Sequence, residues 1–100
     1  MSFYKSTFLA KAQNELLNAL EWYEDRQVGL GTRFKNEIYN CLKKIEKSPQ
    51  KYPLRPNNFR ERRINIFPYL IIYRIEESEK LILISSIFHT SRNPQKKYKQ

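Results

Sequence analysis

One hundred residues with a net charge of +9 and a single cysteine bound the answer from the outset. The length fits one domain, expected over residues 1–100, which should bury roughly two-thirds of its unfolded surface without staples. An internal disulfide is excluded, and no apolar run approaches the roughly 20 residues a bilayer span needs. Met1-Ser2-Phe3-Tyr4-Lys5 lacks the charged-then-apolar order of a secretion signal, so a soluble cytoplasmic protein without membrane contact is expected.

The charge is segregated. Residues 1–41 hold five basic and five acidic side chains; residues 42–100 hold fourteen basic and five acidic ones, and so carry the whole excess. Such a basic half suits an acidic partner, either nucleic acid or an acidic protein segment, and composition does not choose between them.

In chain order, Phe3 to Thr7 suits a short strand. From Leu9 the period changes: Leu9, Ala12, Leu16, Ala19, Leu20 and Tyr23 fall on one face, which predicts a helix over about 8–27 with Thr7 as N-cap. Tyr23 continues the apolar stripe, whereas Trp22 lies at its edge. Gly29 and Gly31 break the pattern and favour a left-handed cap. A second stripe (Leu30, Phe34, Ile38, Cys41, Leu42, Ile45) runs to Ser48-Pro49, where the residue before proline leaves the helical region. So short a turn makes the helices antiparallel, a hairpin over about 8–48.

Gln50 to Asn58, with Pro53, Pro56 and two asparagines, reads as a loop. Strands are predicted at Arg63–Phe67, Tyr69–Ile75 and Leu81–Phe88, within a sheet spanning about 59–89. Phe67-Pro68-Tyr69 is read as a tight turn, Glu76–Lys80 as a polar hairpin loop, and 90–100 as a basic tail. The fold class is α+β in the order β-α-α-β-β-β: an antiparallel sheet with the helical hairpin packed on one face and the other face partly open.

Familiar catalytic signatures are missing: no glycine-rich phosphate loop, no Cys/His metal spacing, no His-Glu-x-x-His. No cofactor or metal is expected. Cys41 lies on an apolar stripe and reads as a small buried hydrophobe. What remains is a basic set: Arg60, Arg62 and Arg63, then Arg74, then His89 and Arg92 after the last strand. Lys96, Lys97, Tyr98 and Lys99 follow in the tail. In an antiparallel sheet these ends can converge, and clustered guanidinium groups would bind phosphates or carboxylates. His89 is suited either to general acid–base work or to closing the end of its strand.

Trp22-Tyr23-Glu24, then Gly29-Leu30-Gly31 with Arg33-Phe34, resemble the helical hairpin of the RelE/ParE toxins of type II toxin–antitoxin systems. Ser48-Pro49 and Tyr52-Pro53 fit that family's stretch after the second helix. Arg62-Arg63, Phe67-Pro68-Tyr69 and Ile72-Tyr73-Arg74-Ile75 resemble its central hairpin. His89-Thr90-Ser91-Arg92-Asn93-Pro94 resembles its closing signature. The resemblance covers nearly the whole chain, and implies a toxin held silent in a hetero-oligomer by a cognate antitoxin with an acidic, flexible segment.

Two activities occur in that superfamily. RelE-like members cut messenger RNA on the ribosome, for which the resemblance nominates Arg62, Arg63, Arg74, His89 and Tyr98. ParE-like members bind and block DNA gyrase. Many RNA-cutting members carry arginine where this chain has Leu70, and Asn93-Pro94 with Phe67-Pro68-Tyr69 resembles the ParE-like branch. That branch is expected, with Arg60, Arg62, Arg63, Arg74, His89 and Arg92 as antitoxin or target contacts. RNA cleavage is the alternative, and a plain nucleic-acid-binding domain the third reading.

Overall fold

Both apolar stripes fold as helices, and the segments flanking them fold as strands. In the computed structural model, which describes residues 4–98, the order is β1 (Lys5–Phe8), α1 (Ala10–Arg26), α2 (Leu30–Lys47), β2 (Arg60–Arg63), β3 (Tyr69–Glu76) and β4 (Leu81–His89). Phe3, expected in the first strand, and Lys99 of the basic tail lie outside the described residues.

Thr7 is not the N-cap of α1. It is held extended in β1 opposite Leu83, and the Leu9 N–H, donated to the Ile84 carbonyl at 2.9 Å, continues the strand to the edge of the helix. Leu9 therefore occupies the cap position, without a side-chain bond. At the other end, the left-handed residue is Gly29 (φ 90°), and it begins α2 rather than closing α1. Gly31 is buried where the helices meet. A Cβ there would stand 2.9 Å from the Leu20 carbonyl, so only glycine permits this approach.

The sheet order is β1-β4-β3-β2. β2, β3 and β4 pair antiparallel, as expected. β1 pairs with β4 in parallel, so the sheet is mixed rather than wholly antiparallel. Both helices and the β2–β3 pair separate β1 from β4 in sequence, and a connection of that length permits a parallel neighbour.

The first strand of the central hairpin lies upstream of Arg63–Phe67. The ladder closes where Ile64 N–H meets the Tyr69 carbonyl at 3.0 Å, and the chain then turns tightly through Ile66 (φ 74°). Ile64 and Phe67 are apolar because the turn buries them, not because they alternate along a strand.

Between hairpin and sheet lies the larger core, which includes Phe34, Ile38, Ile45, Ile71, Tyr73, Ile82 and Ile84. At one end Tyr23, Phe34, Phe67 and Tyr69 pack ring against ring, with centroids 4.9–5.1 Å apart. The opposite face is not left open. Phe59, Leu70, Ile72 and Phe88 form a second cluster there, and Tyr98 of the tail packs on it. Covering on both faces explains why Leu70–Tyr73 is continuously apolar instead of alternating.

Candidate functional site

The basic residues expected to converge lie at three places, with Arg92 reaching from the third onto the Phe88 ring of the second. Period-two alternation along β2 splits them first. Arg60 and Arg62 pair with Tyr73 and Ile71, which belong to the helix-side core, whereas Arg63 pairs with Leu70 on the other face. Arg60 Nη1 donates to the carbonyls of Gln50 (3.1 Å) and Tyr52 (2.7 Å), tying the loop after α2 to the sheet. The Arg62 guanidinium lies over the Tyr52 ring and donates to Cys41 Sγ at 3.3 Å. Burial pushes the Cys41 thiol upward, against the opposing pull of Arg62, so the sulfur stays a thiol and is no nucleophile.

The second place is the far face of the sheet. Arg74 lies 4.3 Å over the Phe59 ring, and its Nε donates to the Asn57 carbonyl at 3.1 Å. Tyr98 stacks on Phe59 at 5.8 Å and donates its hydroxyl to Glu61 at 2.7 Å. Burial, and then this bond, push the phenol up to about 12. Glu61 also faces Lys97 (3.6 Å) and Arg55 (3.7 Å). A carboxylate thus sits beside Tyr98 on the face of the sheet that also carries Arg63 and Arg74.

The third place is a cleft of about 630 Å³ between α1 and the ends of β3 and β4, lined by Glu15, Asn18, Trp22, Tyr69, His89 and Arg92 among others. His89 closes its strand: Nδ1 accepts the Ser91 N–H at 3.0 Å, and the ring meets Tyr69 edge-on at 4.9 Å. An accepting Nδ1 leaves the proton of a neutral ring on Nε2. Trp22 is half exposed, with the Arg26 guanidinium 4.1 Å over its ring. The cleft has aromatic walls and a polar end formed by Glu15, His89 and Arg92.

Glu15 organises this cleft and was absent from the expected residues. β1 covers β4 only from Leu81 to Ile84, which leaves Ser85–His89 without a strand on that side. Glu15 Oε1 substitutes for the missing strand, accepting the Ile87 N–H at 3.0 Å and the Ser86 hydroxyl at 2.8 Å. Its Oε2 binds Arg92, whose guanidinium lies 4.7 Å over the Phe88 ring. One signal could have found it: Glu15 lies three and four residues from Ala12 and Ala19, so a carboxylate sits in an inward-facing row. Among the described residues, no three His, Cys, Asp or Glu side chains gather to hold a metal, and no helix is long and apolar enough to cross a membrane.

Comparison with known proteins places this geometry. A sequence profile of the family described as "ParE toxin of type II toxin-antitoxin system, parDE" matches residues 7–94. No curated protein matches. A solved structure titled "Chromosomal ParDE TA system from P. aeruginosa" superposes with a TM-score of 0.72 at 17% identity, covering 88% of this chain and 97% of that one. The isolated RelE toxin of E. coli superposes with a TM-score of 0.63, also at 17% identity, covering 93% of this chain and 90% of that one. Both structures share the fold. On the profile match, the chain belongs to the ParE toxin family of type II toxin–antitoxin systems, within the RelE/ParE superfamily.

Proposed function

We propose that this chain is a ParE-like toxin that acts by binding and inhibiting DNA gyrase, and that a cognate antitoxin neutralises it. The observation that carries the proposal is the dispersal of the side chains RNA cleavage would need. Arg62 lies on the helix side of the sheet, Arg63, Arg74 and Tyr98 on the other, and His89 in the cleft by α1. General acid, general base and a charge-stabilising cation must act within hydrogen-bond reach of one phosphate. Leu70, at 9% exposure, supplies packing where a cation would be wanted, and Glu61 places negative charge beside Tyr98.

In this reading Arg63, Arg74 and Arg92, exposed or half-exposed, are contact residues for target or antitoxin. An acidic antitoxin segment is the electrostatic complement of a +9 chain. The cleft beside Trp22 and His89 would receive its apolar side chains.

Paired assays on the purified chain test this: supercoiling by gyrase, and cleavage of messenger RNA on translating ribosomes. Blocked supercoiling with intact RNA is expected. Cut RNA with working gyrase would reverse the proposal and direct attention to the face bearing Arg63, Arg74 and Tyr98.

A further inference from the structure

The outer face of α2 carries charge that the fold does not use. Arg33, Asn36, Asn40, Lys43 and Lys47 recur at three- and four-residue steps, and Lys44 lies four beyond Asn40, so the six share one side of the helix. All six are exposed, while Phe34, Ile38, Cys41 and Ile45 hold the opposite side in the core. Among the described residues, Arg33, Lys43, Lys44 and Lys47 make no ion pair. Of the carboxylates on the same helix, Glu46 is turned toward β1, where it accepts the Ser6 N–H at 3.2 Å, and Glu37 is half-buried at the border of the stripe.

The composition of this face selects its partner. Protein interfaces are depleted in lysine and close around an apolar or aromatic centre. Here the centre is lysine and asparagine, and the exposed Tyr39 stands to one side. Lys, Arg and Asn are among the side chains that contact phosphate oxygens. Single strands need a platform of exposed aromatics for stacking, which the stripe lacks. From Arg33 to Lys47 the helix rises about 21 Å, roughly six base pairs of duplex axis.

We infer that the outer face of α2 is a contact surface for the phosphate backbone of duplex DNA. The surface is separate from the cleft and from the far face of the sheet. Only the choice of DNA over RNA rests on the gyrase reading, since that target itself handles duplex DNA.

Fluorescence anisotropy of a labelled DNA duplex against salt, with the toxin alone, tests the inference without gyrase present. Lys43→Gln with Lys44→Gln and Lys47→Gln should weaken binding at least about tenfold at low salt and flatten the log–log salt slope by about 2.7, at 0.9 per lost phosphate contact. Lys5→Gln with Lys11→Gln and Lys80→Gln removes the same charge elsewhere and should keep most of the affinity and slope. Circular dichroism should be unchanged for both, since none of the six side chains is buried.

Equal losses in the two triple variants would reduce the effect to net charge and overturn the site. Tighter binding of an RNA duplex through the stripe would overturn the assignment to DNA and count against the gyrase reading. Stripe-dependent binding of a polyglutamate peptide in preference to the duplex would make α2 a protein-binding face instead.

Discussion

At the scale of single residues, the Glu15 carboxylate fixes where the Arg92 guanidinium sits. Glu15 supplies the hydrogen-bond acceptor that β1, ending at Phe8, does not extend far enough to give, and holds Arg92 at the same time. Truncating it leaves the Ile87 N–H and a half-buried guanidinium unpaired, which costs more than the bonds themselves contribute. Glu15→Ala should destabilise the fold by about 2 kcal/mol and lower Tm by roughly 8–16 °C. Glu15→Gln, which keeps one acceptor, should cost about half as much. Thermal denaturation followed by circular dichroism reads both. A shift of under about 0.5 kcal/mol for the alanine variant would show that water replaces the carboxylate and that Glu15 does not organise the cleft.

At the scale of elements, the helical hairpin depends on its turn. Glu24, near the end of α1, accepts the N–H groups of Gly29 and Gly31 at 2.9 Å each, so α1 caps the first turn of α2 with a charge that its dipole favours. The contact requires Gly31 to have no Cβ, because one would meet both the Leu20 carbonyl and the Glu24 carboxylate at 2.9 Å. Gly31→Ala should push the helices apart and cost about 2–3 kcal/mol. Gly29→Ala meets no neighbour and should cost about 1–2 kcal/mol through its left-handed backbone alone. Chemical denaturation ranks the two; a Gly29 variant worse than the Gly31 variant would place the constraint in the backbone rather than in the helix contact.

At the scale of the whole molecule, tyrosines join the two faces of the sheet. Tyr73 is buried on the helix side with its hydroxyl on the Pro49 carbonyl at 2.7 Å, and Tyr98 closes the far side. Burial raises the pKa of Tyr23, Tyr69, Tyr73 and Tyr98 above the ordinary value of 10.0. The folded state therefore holds these phenol protons more tightly than the unfolded chain does. That contribution to stability is complete below pH 10 and is lost as pH rises through the folded values, about 12 for Tyr98. Tyrosinate absorbance of the native chain should accordingly rise at higher pH than in denaturant. Superimposed titrations would mean that the rings are not protected. In Tyr98→Phe the delayed portion should shrink and the tail should loosen from Phe59.

Periodicity, with glycine and proline marking the breaks, determined the helical hairpin, the order of the elements and the helical half of the helix-side core. Burying one side of a helix dictates three- and four-residue steps, and Phe34, Ile38, Cys41, Leu42 and Ile45 record that constraint directly. Family membership was legible from the order of short motifs, which the family profile matches over residues 7–94 although the solved structures share only 17% identity. The tertiary structure decided whatever depended on residues distant in the chain. The parallel pairing of β1 with β4 reflects a connection too long to leave a local signal. The covering of the far face by Tyr98 joins a tail to Phe59 across the sheet. The functional candidates separated for a related reason: adjacent residues such as Arg62 and Arg63 point to opposite faces of one strand, while Glu15 and Arg92 meet from opposite ends of the chain. Sequence names charged residues readily, but only the sheet decides which of them can meet.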